Sequence, residues 1–251
     1  MQTEEILSEV VHLHREILGE NLTGIYIHGS LAFGCCHPDR SDVDFLTVTG
    51  RAPTLAEKRT LLERLILLEA NAPRKGFEMS VVLAEHCRHF IYPTPYELHY
   101  SKMHRNAFLS DPDEYCKAMR GTDPDLAAHF TVVRKTGVTL YGKDAGSLFA
   151  PVPRADYLDS IRRDAADAEK GIESDPVYFV LNLCRVLAYL REGLVLSKAD
   201  GGHWGIKALP KPFHSIIKEA LRCYAHGGVF SADRKKTREF ARYMLTKIFA
   251  E

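Results

Sequence analysis

A predicted strand, a Gly-Ser turn and two closely spaced aspartates constrain the fold of this sequence more than any other feature. The run at 23–28, rich in β-branched and aromatic residues, predicts a strand that ends at Gly29 and Ser30. A second predicted strand begins at Asp42 and carries Asp44 two positions later, so both carboxylates lie on one face. Glycine allows close approach to a phosphate, and a helix beginning at Ser30 would direct N–H groups toward an anion. The segment therefore predicts an anion-binding turn beside two carboxylates.

The aspartate pair indicates a metal site. Two carboxylates on the same face of a strand repel each other unless a cation or hydrogen-bond donors offset their charge. Mg²⁺ prefers oxygen ligands and keeps water or substrate phosphates in its remaining positions. Asp42 and Asp44, next to a turn suited to phosphate, therefore predict a site for Mg²⁺ and a triphosphate.

The first half of the chain is predicted to be α/β, and the second half helical. Apolar spacing over 3–83 predicts helix, strand, short helix, strand, helix and strand, with Thr54 and Glu57 forming a capping box. The proline-rich stretch at 149–153 predicts a boundary between a domain of residues 1–150 and one of residues 151–251. The second domain is predicted to be an α-helical bundle, with helices near 154–170, 176–192, 203–209, 213–226 and 232–249.

Composition limits the classes of partner. The 33 Lys+Arg residues balance 33 Asp+Glu residues, which leaves no basic excess to bind a long nucleic-acid backbone. The N-terminus is acidic and unlike a signal peptide, and no apolar run reaches the roughly 18 residues that cross a bilayer. The six cysteines form no Cys-x-x-Cys pair, which disfavours structural zinc. We expect a cytoplasmic monomer that binds neither nucleic acid nor membrane.

These motifs resemble the nucleotidyltransferase superfamily and, within it, the streptomycin/spectinomycin adenylyltransferases. The Gly-Ser and Asp-x-Asp core carries the superfamily resemblance. The narrower resemblance extends over about residues 20–225 and is carried by the segments 77–82, 92–98, 123–142, 148–153, 181–185 and 197–199. It implies a mixed, polymerase-β-like sheet with flanking helices, followed by a helical domain that completes the ATP and acceptor sites.

The resemblance also implies a role for each matching residue. Asp42, Asp44 and Glu78 would bind Mg²⁺, with two ions expected, and Glu78 would also accept the proton of the attacking hydroxyl. Glu97 and Asp175 would bind the acceptor. ATP, the co-substrate, would be held by Gly29, Ser30, Ser41, Arg185, Lys198 and Tyr224.

The implied reaction transfers AMP from ATP to a hydroxyl of a small cationic acceptor, an aminoglycoside-type antibiotic such as spectinomycin or streptomycin, and so confers resistance. Two alternatives remain open: the same chemistry on a protein or RNA acceptor, and a nucleotide-binding relative without activity. Individual residues also have plain structural interpretations. Glu78 fits a solvent-facing edge strand, Glu97 the first turn of a helix, and Lys198 a solvated loop.

Overall fold

The structure is a computed structural model and describes residues 3–35, 37 and 41–250. The chain divides into two compact units, Met1–Asp156 and Tyr157–Glu251. The domain boundary predicted from the sequence lies slightly earlier, after residue 150. Within the described ranges, every helix is too short or too polar to span a membrane.

The first unit is built around a mixed β-sheet. Its strands are β1 (Leu22–Ile27), β2 (Val43–Thr49), β3 (Phe77–Leu83), β4 (Thr94–Tyr96), β5 (Leu98–Ser101), β6 (Gly121–Asp123) and β7 (Val138–Gly142). Five of them form one sheet in the order β5-β3-β2-β1-β7, while β4 pairs with β6. Only the β2–β3 pair of the five-stranded sheet is parallel. The predicted mixed sheet is confirmed.

Helices cover both faces of this sheet. They are α1 (Thr3–Leu18), α2 (Gly29–Ala32), α3 (Leu55–Leu68), α4 (Ala84–Arg88), α5 (Arg105–Ser110), α6 (Pro112–Ala118), α7 (Leu126–Thr136) and α8 (Ala145–Leu148). Phe45 and Met79 pack in a core with α1 and α3, whereas Leu46 and Val82 pack in a second core with α7. Side chains of a strand alternate between the two faces of the sheet. Residues of β2 that lie an even number of positions from Leu46 therefore point to the face that α7 covers.

The third helix begins as the sequence predicts. The side chain of Thr54 accepts a hydrogen bond from the backbone N–H of Glu57, and the Glu57 carboxylate accepts one from the backbone N–H of Thr54. This reciprocal capping box satisfies two N–H groups that a helix start would otherwise leave unpaired.

The second unit is helical, as predicted. Its helices are α9 (Arg154–Ala166, which starts in the first unit), α10 (Ala168–Gly171), α11 (Pro176–Glu192), α12 (Lys198–Ala208), α13 (His214–His226) and α14 (Arg234–Ala250). The prediction of a single helix over 154–170 is wrong, because the helix breaks between α9 and α10. Helix α12 also begins earlier than predicted, because Ser197 caps it and Gly201 and Gly202 lie inside it. A methyl group at Gly201 would lie 2.8 Å from Cβ of Arg185, so glycine here serves close helix packing.

Candidate active site

Three acidic side chains converge where β2 and β3 begin. Asp44 lies beside Glu78 in the parallel register of the two strands, and Asp42 immediately precedes β2. Each side chain offers one carboxylate oxygen, and these oxygens all lie within 4.8 Å of one another. All three residues are half-buried. The structure thus brings together the three acids to which the resemblance assigns metal binding.

The cluster has the chemistry of a magnesium site. Like charges at this separation repel by about 3 kcal/mol per pair at an effective dielectric constant of about 20. A divalent cation would remove that repulsion, and carboxylate oxygens are the protein ligands that Mg²⁺ prefers. The donor set therefore fits Mg²⁺, and the assignment of each acid as a ligand remains a prediction.

The position of Asp44 requires glycine at residue 29. Gly29 has a φ of +60°, a left-handed conformation that side chains disfavour. A Cβ atom there would lie 2.6 Å from Cγ of Asp44, and nearer still to its Oδ2. The backbone N–H of His28 donates to the Asp44 carbonyl at 3.0 Å, which fixes this turn against β2. The Gly-Ser turn and the carboxylate cluster therefore form one packed unit.

Two serines flank the acids and differ in their hydrogen bonding. The Ser30 hydroxyl is buried and has no hydrogen-bond partner among the described residues. Such a group costs stability unless a ligand pairs with it, so Ser30 fits a phosphate contact. The Ser41 hydroxyl instead accepts a hydrogen bond from the His37 backbone N–H at 2.9 Å, and Ser41 N–H donates to the His37 carbonyl at 2.8 Å. These two hydrogen bonds join His37 to Ser41, the residue that precedes Asp42.

In the second unit, the two predicted cations of the nucleotide site each contact a neighbour on α11. Arg185 Nε donates to Oδ1 of Asn182 at 2.7 Å. Lys198 is the first residue of α12, and its Nζ lies 4.9 Å from the centre of the Tyr178 ring. The interpretation of Lys198 as a loop residue is therefore wrong. The binding of ATP by Arg185 and Lys198 remains a prediction.

Comparison with known proteins shows which enzymes this chain is similar to. Residues 147–247 match the family described as the C-terminal domain of aminoglycoside adenylyltransferase. An aminoglycoside (3'') (9) adenylyltransferase of Rhizobium radiobacter is 28% identical over 226 residues, which cover 87% of this chain and 81% of that protein. Over most of its length the chain is similar to aminoglycoside adenylyltransferases, and residues 147–247 match the model of their C-terminal domain. It is accordingly a nucleotidyltransferase, as the Gly-Ser and Asp-x-Asp motifs predicted.

Two further proteins show the same similarity. A spectinomycin 9-adenylyltransferase of Staphylococcus aureus is 25% identical over 224 residues, covering 86% of this chain and 83% of that protein. A crystal structure of the spectinomycin adenyltransferase of Enterococcus faecalis, with ATP and spectinomycin, has a TM-score of 0.84 to this chain at 20% identity. That match covers 99% of this chain and 100% of the other, and it shows that the two share a fold.

A histidine pair borders the carboxylate cluster and is absent from the sequence predictions. The rings of His28 and His129 stack with their centroids 4.4 Å apart, and Nε2 of His129 lies 3.2 Å from Oδ2 of Asp125. Burial acts to lower the pKa of His129, but the combined effect of Asp125, Glu78 and Asp44 outweighs it and raises that pKa to about 9. Burial and the charge of His129 lower the pKa of His28 well below its usual value. The packing of α7 therefore brings a histidine beside the acids, and their charges favour its protonated form.

Glu97, a predicted acceptor residue, has a cation partner in its own unit. It lies between β4 and β5, so its interpretation as a first-turn helix acid is wrong. Its Oε2 is 3.9 Å from Nζ of Lys58, and the exposed fractions of the two side chains are only 19% and 8%. Burial lowers the pKa of Lys58, and the Glu97 charge partly opposes that shift. Glu97 thus has a structural role, and its contact with an acceptor remains a prediction.

The two remaining predicted residues lie in the helical unit. Asp175 caps α11, where its Oδ1 accepts a hydrogen bond from the backbone N–H of Tyr178 at 3.1 Å. Asp175 is exposed at the start of a helix, where an aspartate is favoured as a cap even if it binds no ligand. Tyr224 is half-buried in the last turns of α13. The substrate role of Asp175 and the nucleotide role of Tyr224 both remain predictions.

Proposed function

We propose that this enzyme transfers AMP from ATP to a hydroxyl of spectinomycin, with Mg²⁺ bound by Asp42, Asp44 and Glu78. The observation that carries the proposal is the convergence of these three carboxylates within 4.8 Å, beside the turn that holds Gly29. The choice of acceptor is supported by the relatives named spectinomycin 9-adenylyltransferase, and that of ATP by the solved relative with ATP and spectinomycin. Antibiotic resistance would be the consequence in the cell.

The reaction makes one phosphorus–oxygen bond and breaks another. The acceptor oxygen attacks the α-phosphorus of ATP, the bond from that phosphorus to the bridging oxygen breaks, and pyrophosphate leaves. Glu78 would accept the proton of the attacking hydroxyl. Bound Mg²⁺ would supply neutralisation of charge on the transferred group and on the leaving oxygen. The unpaired, buried hydroxyl of Ser30 supports its assignment to a phosphate oxygen.

The remaining assignments follow the charges of the substrates. Arg185 and Lys198, with Tyr224, would bind the triphosphate, which needs positive charge and hydrogen-bond donors. Glu97 and Asp175 would bind the cationic acceptor. We further propose that the enzyme acts as a monomer in the cytoplasm, where ATP is available.

Pyrophosphate release tests this proposal. The purified protein, incubated with ATP, Mg²⁺ and either spectinomycin or streptomycin, should release pyrophosphate with spectinomycin, and a metal chelator should stop the release. Asp42→Asn should fold normally and lose the activity. Asp113→Asn is the matched control, because Asp113 pairs with Arg59 at the surface, at 3.2 Å, where both side chains are about half exposed.

Two outcomes would contradict the proposal. If the folded protein leaves both drugs unmodified, the acceptor class is wrong. In that case, incubation of a lysate with α-labelled ATP distinguishes the alternatives, because label on protein or RNA would identify a macromolecular acceptor. Transfer undiminished in Asp42→Asn would refute the metal assignment.

A further inference from the structure

A carboxylate of the helical unit, Asp164 on α9, is connected to both cations assigned to the triphosphate. Oδ1 of Asp164 accepts a hydrogen bond from the Tyr178 hydroxyl at 2.6 Å, and Oδ2 accepts one from Nδ2 of Asn182 at 2.8 Å. Each partner in turn contacts a cation. Asn182 Oδ1 accepts from Arg185 Nε at 2.7 Å, and the Tyr178 ring lies 4.9 Å from Nζ of Lys198.

We propose that Asp164 is a positioning residue that fixes the directions of Arg185 and Lys198 for binding a nucleoside triphosphate. The inference rests on the proposed function for the identity of the ligand. The hydrogen-bond network itself lies wholly within the helical unit and can be tested separately.

The first branch of the network orients a buried amide. Asn182 is 1% exposed, so protein groups must satisfy its amide. A carboxylate only accepts hydrogen bonds, so the amide nitrogen of Asn182 faces Asp164 and its carbonyl oxygen faces Arg185. Asp164 thereby determines which end of the amide the guanidinium meets.

This contact prepares Arg185 to bind an anion. In the part of the chain that the structure describes, Nε makes the one hydrogen bond of the guanidinium, which leaves both Nη groups available. Two Nη groups held in a fixed plane match the paired oxygens of a phosphate. The base of the side chain is held as well, because the α12 backbone at Gly201 packs directly over its Cβ.

The second branch fixes an aromatic ring under an ammonium group. The hydrogen bond from the Tyr178 hydroxyl to Asp164 locks the ring, whose face is directed toward Nζ of Lys198. A cation over a ring face is attracted to it, so the ring limits where the flexible lysine places its charge. Tyr178, Asn182 and Arg185 follow one another at helical spacing on a single stripe of α11, and Asp164 contacts that stripe twice.

The test compares two substitutions of Asp164 with a control on the same helix. With Mg²⁺ present, Asp164→Ala should weaken ATP binding, measured by equilibrium dialysis, by about 10- to 100-fold, the loss that follows removal of a hydrogen bond to a charged group. Asp164→Asn should stay within about threefold, because its oxygen still accepts from Asn182 and the Tyr178 hydroxyl can accept from its nitrogen. Asp159→Ala should bind ATP as the wild type does, because Asp159 forms an exposed ion pair with Arg163 on the same helix, at 2.7 Å, and is not a member of the Asp164 network.

A double-mutant cycle separates positioning from general stability. In an Arg185→Ala/Lys198→Ala background, Asp164→Ala should add less than about a threefold further loss, because residues that act as one unit are not additive. A full additional loss in that background would overturn the proposal, and so would wild-type affinity in Asp164→Ala alone. If Asp164→Ala does not fold, Tyr178→Phe is used in its place, because it removes one hydrogen-bond donor to Asp164 and keeps the aromatic ring. Tyr178→Phe should weaken ATP binding severalfold. Unchanged affinity for ATP in Tyr178→Phe would overturn the proposal.

A measurement made without nucleotide tests the positioning role of Asp164 independently of the proposed function. Hydrogen exchange of the Arg185 Nε–H group, followed by NMR, should accelerate at least about 10-fold in Asp164→Ala and change little in Asp164→Asn, since the hydrogen bond protects the proton. If the wild type fails to bind ATP, the proposed function is wrong while this exchange measurement still judges Asp164. Equal exchange rates in wild type and Asp164→Ala would refute its positioning role.

Discussion

Replacing Gly29 with alanine tests whether the Gly-Ser turn and the carboxylate cluster are one packed unit. The substitution adds a single methyl group in a left-handed backbone conformation with φ +60°. That methyl would lie 2.6 Å from Cγ of Asp44. Since non-bonded carbon atoms attract only from about 3.5 Å outward, Asp44 or the turn must move by about 1 Å.

Two separate costs follow from this geometry. The left-handed conformation should lower the free energy of unfolding by about 1–2 kcal/mol. Displacement of a reacting group by about 1 Å can reduce a rate by about 10²-fold, so pyrophosphate release should fall by at least that factor. The catalytic loss should therefore be much larger than the modest loss of stability would explain.

Gly19→Ala is the matched control. Gly19 also has a left-handed φ, +49°, but an added Cβ would meet no atom within 4 Å. It should show a similar loss of stability in urea unfolding and should retain pyrophosphate release close to that of the wild type. Equal activity losses in both variants, or a Gly29→Ala enzyme within threefold of wild type, would refute the packing argument.

Four further predictions concern single side chains. Glu78→Gln should keep the fold and lower kcat by about 10²- to 10⁴-fold in the pyrophosphate assay, because it removes the proposed base. Ser30→Ala should raise the KM for ATP by about tenfold without lowering stability, since its hydroxyl has no partner to lose among the described residues. Glu97→Gln should lower the free energy of unfolding by about 1–3 kcal/mol, because Lys58 then keeps a buried charge without its carboxylate. Burial lowers the pKa of His14 to about 4, so His14 should contribute a loss of about 2 kcal/mol of stability between pH 7 and pH 5, measured in urea as the difference between the wild type and His14→Leu.

The sign of the pH effect follows from where the proton binds. Between pH 6.5 and about 4 the unfolded chain binds a proton at His14 that the folded chain excludes. The stabilising contribution of neutral, buried His14 is therefore present above pH 6.5 and is lost as the pH falls below that value. His14→Leu should flatten this dependence, and His12→Gln, at an exposed position, should not. Each of the other three assignments has a result that would contradict it. The KM for ATP would be unchanged in Ser30→Ala, the Glu78→Gln enzyme would be fully active, or the free energy of unfolding would be unaltered in Glu97→Gln.

The carboxylate cluster could be predicted from the sequence because its causes are local. Asp42 and Asp44 share a face through strand alternation, and Glu78 becomes their neighbour once β2 and β3 pair in parallel. The pairing of Gly29 with Asp44 also follows from adjacent strands, although the sequence alone does not show how closely they approach.

Other features depend on contacts between distant segments and left no local signal. His129 reaches the cluster only through the packing of α7, and Asp164 meets α11 only in the folded helical unit. Gly201 and Gly202 resemble a helix break in the sequence, yet they lie inside α12 because Arg185 and Leu181 leave no room for side chains. The roles of such residues can be inferred only when the neighbouring helix is known.

Mass spectrometry of spectinomycin after incubation with the enzyme, ATP and Mg²⁺ tests the central claim most directly. We predict a product heavier by one adenylyl group, formed by the wild type and by Asp113→Asn but not by Asp42→Asn. Spectinomycin left unmodified by the folded wild type, or modified equally by Asp42→Asn, would contradict the proposal that these carboxylates catalyse transfer of AMP to this drug.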